Sequence, residues 1–282
     1  MFPRHRHKML WSAAQLCLGI AAGDACAQTE SERVRHWLDD SFHVEIGAFQ
    51  PAARTRARFD AFNGAIGTQI DLEDDLDLER RALLFDLTFA KQFRKRHLLA
   101  MEYFELRRTG DQRLTADITF GDEVFSLGTD VSSYFHTEVL RLSYAYSIVR
   151  SERKNIGFYA GVHLTRFTMG ITSRRDAAPT DARSEVAETT APLPVIGLGG
   201  EWFWGDRWIF RGAAQIFRLA VSDYEGAIDH CQLAFEYAFR RRVAFGVGYD
   251  YFAIDVSKES QHFKGLAEFD FSGPKVYAHF HF

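Results

Sequence analysis

The residues best suited to hold a ligand form an acidic cluster between residues 71 and 79. Hard cations such as Ca²⁺ bind several carboxylate oxygens at once, so closely spaced acids are candidate ligands. The spacing is not that of an EF-hand loop, because no glycine stands where the sharp turn requires one. Two interpretations stay open, a solvated acidic loop or a Ca²⁺ site, and no other cofactor is predicted. The candidate ligands are Asp71, Glu73, Asp74, Asp75 and Asp77, with Glu79 beside them.

A second group of residues could carry hydrolytic chemistry, which needs a base beside a nucleophile or a carboxylate. Asp229 and His230 are adjacent, and His136 and His262 stand in or beside other polar stretches. Successive residues of a strand point to opposite faces, so Asp229 is poorly placed to orient His230 if both lie on a strand. We therefore expect these side chains to face water and predict no catalysis.

The elements that must position these side chains are β-strands, because the dominant pattern is alternation. In 139–149, VLRLSYAYSIV, large apolar residues alternate with arginine, serine and alanine. The second face is small or singly charged, which is typical of a narrow lumen and not of the solvated face of a sandwich. The same pattern recurs in 83–90, 155–165, 231–239 and 243–251.

Short and long connections alternate along the chain, as they do in transmembrane barrels with short periplasmic turns and long extracellular loops. Even strand numbers place both termini on the periplasmic side, and the preferred count is ten. Segments 54–62 and 262–270 could each be a further strand, so twelve stays an alternative, as does eight. The predicted strands are 42–50, 80–91, 97–107, 137–149, 155–166, 192–203, 207–219, 228–240, 243–256 and 274–282.

Composition agrees with an exported barrel. Residues 1–27 combine a basic start, an apolar run and Ala25-Cys26-Ala27, which is the layout of a secretory signal peptide. Residues 28–41 would be a short periplasmic segment before a barrel at 42–282. Mean hydropathy is −0.22 despite 26 phenylalanines, and a barrel can be so polar because only alternate residues face lipid. The formal net charge of −4, without a long basic run, excludes nucleic-acid binding.

The last residues of the chain carry a resemblance to a known class. In 275–282, KVYAHFHF, Phe280 and Phe282 share one face, and the chain stops on the second of them. This segment resembles the C-terminal sorting strand of bacterial outer-membrane barrels, and 234–251 is similar to strand–turn–strand units of small OmpA-like and OmpW-like barrels. The resemblance implies a location in the outer membrane, contact with its lipid and lipopolysaccharide, and recognition by the barrel assembly machinery. No omptin, lipid A deacylase or sugar-porin motif is found.

Alternation also predicts a charged lumen. An isolated buried ion costs several kcal/mol, so inward charges must pair with one another or meet water. Pairing of the two arginines with carboxylates would plug the barrel, and a ring of about ten strands is narrow enough for side chains to fill it. The predicted lumen charges are Glu45, Asp86, Glu102, Arg141, Glu201, Arg211, Glu236 and Asp250, joined by His163, Gln215, His279 and His281.

Three functions follow from these expectations. The preferred one is a structural or surface-interaction role without catalysis. The first alternative is a pore for small solutes with a weak preference for cations, which an unpaired excess of lumen acids would favour. The second alternative is an omptin-like or lipid-modifying enzyme whose residues lie at the extracellular rim, with His230 as its candidate base.

Overall fold

Long antiparallel strands dominate the structure, as the alternation predicts. The computed structural model describes residues 41–60, 66–174, 183–221, 224–260 and 263–282. The predicted signal peptide 1–27, all of segment 28–41 except Ser41, and His262 lie outside these residues. The described elements are β1 (Phe42–Phe49), β2 (Ala52–Phe59), β3 (Ile70–Asp71), α1 (Leu72–Asp75), β4 (Leu84–Phe93), β5 (His97–Arg113), β6 (Ile118–Phe120), β7 (Glu123–Phe125), β8 (Asp130–Arg150), β9 (Lys154–Arg174), β10 (Ser184–Trp204), β11 (Trp208–Val221), β12 (Tyr224–Arg240), β13 (Val243–Ser260) and β14 (Phe263–His281).

Ten of these strands close into one antiparallel ring, in the order β1, β4, β5 and then β8 to β14. β1 closes the ring by pairing with β14 on one edge, where His43 lies opposite His281. On its other edge β1 pairs with β4, where Phe49 lies opposite Leu84. Closure leaves no open sheet edge to expose unpaired backbone groups to lipid. The prediction of a ten-stranded barrel is confirmed, and rings of eight or twelve are excluded.

Segments 54–62 and 262–270 were each a possible further strand, and nearly all of their described residues fall on β2 and β14. β2 continues the line of β1 after a break at Pro51, which lacks the N–H that a ladder needs. It pairs with β14 from Ser272 to Gly265 but lies outside the ring, with β3 on its other edge. The described part of segment 262–270 is not a separate strand, because β14 runs from Phe263 through Gly273 to His281.

The strands are longer than predicted, and most of the predicted long connections are strand. β8, β9 and β10 each have 21 residues, whereas a tilted strand needs only about 9–11 to cross a bilayer. About half of each strand therefore extends beyond the membrane. The predicted strands 97–107 and 137–149, for example, continue to Arg113 in β5 and begin at Asp130 in β8.

The apolar face changes sides within each long strand. In β13, Phe245 and Val247 face outward and are 53% and 61% exposed, whereas Phe252 and Ile254 face inward and are buried. β8, β9, β10 and β14 show the same change of parity. We call the part with apolar outward residues the membrane half and the part with apolar inward residues the outer half.

The membrane half ends in tight turns at 94–96, 151–153, 205–207 and 241–242, close to their predicted positions. This short-turn end also carries the first residue of β1 and the end of β14, and short turns face the periplasm in bacterial barrels. Trp204 and Trp208 are 73% and 48% exposed there, where tryptophan favours a membrane–water boundary. No helix among the described residues is long and apolar enough to cross a membrane.

Candidate functional site

The interior of the membrane half contains the charges that alternation predicts. All eight predicted residues lie on strands of the ring and are buried or partly buried. Because the outward positions of these strands are apolar, the burial of the charged positions places them in the lumen. Glu45, Asp86, Arg141, Glu236 and Asp250 are at most 6% exposed, and Glu102, Glu201 and Arg211 are partly buried.

Glu45 joins two cations into one network. Its Oε1 lies 2.6 Å from Nζ of Lys275, and its Oε2 accepts a hydrogen bond of 2.9 Å from Nη1 of Arg211. Lys275 also lies 2.7 Å from the Asp86 carboxylate. Arg211 contacts two further carboxylates, Glu236 at 2.6 Å and Glu201 at 3.5 Å.

A second network lies towards the outer half. Arg141 donates to both oxygens of Glu102, at 3.1 and 3.3 Å. Its Nη1 lies 3.4 Å from Nε2 of His230, and that nitrogen is 2.9 Å from Oδ1 of Asp250. Both arginines therefore pair with carboxylates, which is the arrangement expected of a plugged lumen.

Sequence reasoning missed three residues of these networks. Lys275 and Tyr277 lie on the inward face of the terminal strand, opposite the outward face that carries the predicted sorting residues. Tyr277 donates a hydrogen bond of 2.8 Å to Glu236. His230 was assigned to the rim although it is 6% exposed inside the barrel. The alternation that places Phe280 outward also places Lys275 and Tyr277 inward, so the signal was present.

A cavity of about 180 Å³ lies between the short-turn end and the charged networks. A water molecule occupies about 30 Å³ in the liquid, so the cavity has room for several. Polar groups that line the cavity supply hydrogen-bond partners for such water. They include His43, Glu102, Arg141, Arg211, Lys275 and His281.

Buried phenylalanine rings pack together where the membrane half meets the outer half. Phe271 stands at the centre, with its ring centroid 5.1 Å from Phe252, 5.4 Å from Phe269 and 5.9 Å from Phe104. Arg141 stacks beneath them, with Cζ 4.9 Å from the centroid of Phe104. The contacts continue from Phe269 to further rings, so one cluster reaches across the barrel. Its members are Phe49, Phe104, Phe135, Phe167, Phe252, Phe269 and Phe271, each at most 4% exposed.

The predicted acidic cluster has partners within the protein. Asp71 caps α1 by accepting a hydrogen bond of 3.3 Å from the Asp74 backbone, and Asp75 accepts one of 2.8 Å from the Asp71 backbone. Asp74 pairs with Arg80, and Asp77 is exposed. Among the described residues, the groups whose acid or histidine atoms converge as metal ligands do not include this loop. The Ca²⁺ hypothesis therefore gains no support from the geometry.

Glu73 points away from that cluster into the outer half. Its carboxylate pairs with Arg108, and both side chains are 0% exposed. Glu73 also accepts a hydrogen bond of 2.8 Å from the Thr55 backbone, while Arg108 donates to the Thr55 hydroxyl. The Glu73 carboxylate therefore holds α1 against β2 and β5.

The candidate rim residues do not form one site. Asp229 faces outward and lies 2.6 Å from Arg218, whereas His230 faces the lumen, so the opposite-face argument holds for this pair. His136 lies 3.5 Å from Glu105 on the outer surface. The hydrogen-bond partners of His230 are the Asp250 carboxylate and the Arg141 guanidinium, and all three side chains are buried inside the barrel and not at its rim.

The terminal strand presents the predicted sorting residues to lipid. Phe282 is 55% exposed, and Phe280 shares its outward face two positions earlier. Phe42 packs beside Phe282 at a centroid distance of 6.4 Å, at the seam where the ring closes.

Gly246 is required where Tyr277 crosses to Glu236. A Cβ on Gly246 would lie 2.2 Å from the Tyr277 ring, so Gly246→Ala must displace the ring and its hydrogen bond to Glu236. We expect a loss of about 1–3 kcal/mol in the free energy of unfolding, measured by urea titration in vesicles. Gly212→Ala is the control, since the tightest contact of its Cβ would be a flexible Leu233 methyl at 3.3 Å. Equal stability of the two variants would contradict this role for Gly246.

The closed ring, the lipid-facing belt and the charged interior define an outer-membrane β-barrel fold. The chain is similar to the outer-membrane protease OmpT from Escherichia coli, with a TM-score of 0.55 and 10% identity over 86% of this chain and 97% of that one. It also matches the translocator domain of the autotransporter NalP from Neisseria meningitidis, with a TM-score of 0.47 and 8% identity over 96% and 94% of the two chains. The attachment invasion locus protein Ail of Yersinia pestis matches with a TM-score of 0.36 and 10% identity over 84% and 99%. No protein-family model and no curated protein sequence matches the chain.

Proposed function

We propose that this protein is a non-conducting, non-enzymatic barrel of the bacterial outer membrane with a structural or surface-interaction role. The observation that supports this most directly is the phenylalanine cluster across the lumen. Its seven rings come from β1, β5, β8, β9, β13 and β14, so they bridge opposite walls of the ring. Leu193 and Val195 on β10 and Ile228 on β12 belong to the same buried core. Hydrated ions crossing this layer would have to displace close-packed side chains.

The outer half supplies a surface beyond the membrane. Several of its outward side chains are charged and form ion pairs, such as Arg166 with Glu138 at 3.4 Å and Arg107 with Glu105 at 3.2 Å. Such a surface suits contact with the phosphates of lipopolysaccharide or with a partner outside the cell. Export through a signal peptide at 1–27, and insertion by the barrel assembly machinery through Phe280 and Phe282, complete the proposal.

Planar-bilayer recording tests the closed lumen. We expect no discrete, reproducible openings from the refolded protein, with a known porin as the positive control. The double variant Phe252→Ala and Phe271→Ala removes rings above the cavity and should raise conductance. Its matched control, the double variant Phe235→Ala and Phe245→Ala, removes two lipid-facing rings and should show no channel openings. Reproducible openings from the unaltered protein would overturn the proposal and favour the small-solute pore.

The rim-enzyme alternative has a separate test. The similarity to OmpT shows a shared fold, and at 10% identity it carries no activity over to this chain. His230, the candidate base, lies in the lumen beside Asp250. We expect His230→Gln to leave any protease or lipase activity of the preparation unchanged. Loss of such an activity in this variant alone would revive the enzyme hypothesis.

A further inference from the structure

Three histidines from two paired strands converge at the short-turn end of the lumen. His43 on β1 lies opposite His281 on β14, and His279 stands two positions before His281 on the same inward face. The ring centroids are 4.1 Å apart for His279 and His281, 4.8 Å for His43 and His281, and 5.7 Å for His43 and His279. We propose that these histidines form a binding site for a divalent transition-metal ion, with Zn²⁺ as the ion that fits best.

The ligand set matches what Zn²⁺ takes in proteins. Each histidine can offer one ring nitrogen within 4.8 Å of those from the other two. Small side-chain rotations bring such nitrogens to Zn–N distances of about 2.0–2.1 Å in a tetrahedral arrangement. Three protein ligands leave the fourth position open for water or a small anion. All three histidines line the cavity, so that fourth position faces space that water can fill.

A carboxylate stands behind the histidines and orients one of them. Nδ1 of His279 lies 3.3 Å from both oxygens of Glu236. Glu236 is itself held by Arg211 at 2.6 Å and by the Tyr277 hydroxyl at 2.8 Å. A metal-binding histidine usually donates its second N–H to such a carboxylate, which leaves Nε2 of His279 as the ligand atom.

The surrounding charge favours a dication. The network centred on Glu45 contains four carboxylates, on Glu45, Asp86, Glu201 and Glu236, and two cations, on Arg211 and Lys275. These groups carry a formal excess of two negative charges. A bound Zn²⁺ with three neutral imidazoles balances that excess.

Zinc binding to the untagged full chain, purified in detergent, tests the site. Equilibrium dialysis against Zn²⁺ should give one tightly bound ion per chain, and Co²⁺ in its place should show the visible absorption of a tetrahedral site. His281→Gln and His43→Gln should each weaken Zn²⁺ binding by at least about 100-fold. That loss would exceed the roughly 10–100-fold expected for losing a second-shell partner alone.

His97→Gln is the matched control. His97 lies at the same end of the barrel, and its Nδ1 forms a hydrogen bond of 2.6 Å with the Tyr144 hydroxyl. It should retain the full affinity for Zn²⁺. Heat-modifiable migration on gels identifies folded barrels, and only folded fractions are compared. Absence of a bound ion from the unaltered protein overturns the proposal, and so does equal affinity in His43→Gln, His281→Gln and His97→Gln.

Discussion

Replacing Glu73 by alanine is expected to lower the free energy of unfolding by about 3–5 kcal/mol, because it leaves the charge of Arg108 buried without its partner. Both side chains are 0% exposed, and the backbone N–H of Thr55 would lose its acceptor as well. Burial already lowers the pKa of Arg108, and Glu73 opposes that shift. Urea unfolding in vesicles measures the loss, which should accompany faster proteolysis near α1.

The neighbouring residue of the same helix provides the control. Asp74 is 68% exposed and pairs with an Arg80 that is 52% exposed, so Asp74→Ala should cost at most about 1 kcal/mol. The double variant Glu73→Leu with Arg108→Met removes both charges and should recover much of the stability. Equal effects of Glu73→Ala and Asp74→Ala would show that the buried pair does not hold the outer half together.

Replacing Lys275 by methionine is expected to cost about 3 kcal/mol or more, because Glu45 and Asp86 then lose a cation that lies within 3 Å of both. The measured separations are 2.6 Å and 2.7 Å, and Lys275 is 4% exposed. Water in the cavity can reach Glu45 and reduces the loss. Asp86 does not line the cavity, so most of the cost of burying its unpaired charge remains. Urea titration in vesicles measures the change.

Two further variants separate pairing from the simple loss of a lysine. Lys91→Met removes an exposed lysine from β4 and should change stability by no more than about 0.5 kcal/mol. Adding Asp86→Asn to Lys275→Met removes one unpaired charge and should restore part of the lost stability. If the double variant is as unstable as Lys275→Met, the ion pair is not the source of the effect.

The strand count and the membrane belt could be predicted from sequence because both depend on local alternation. The immediate neighbours of a residue such as Phe245 indicate that its side chain faces outward. The same alternation predicts the ten strands and the charged residues that face the lumen. Much of the outer half was missed because its apolar side chains face inward. Phe269 and Phe271 continue the strand of Val276 with opposite parity, and the predicted strand 274–282 begins where that parity changes.

The sequence by itself determined the class of fold, the tight turns and which charges enter the lumen, since a period of two residues fixes the direction of each side chain. Only the tertiary structure decided which of these residues meet. Glu45 and Arg211 are 166 positions apart, and Glu73 and Arg108 are 35 apart. Their contacts depend on ring closure and strand register, which bring distant strands together, and the phenylalanine cluster forms for the same reason.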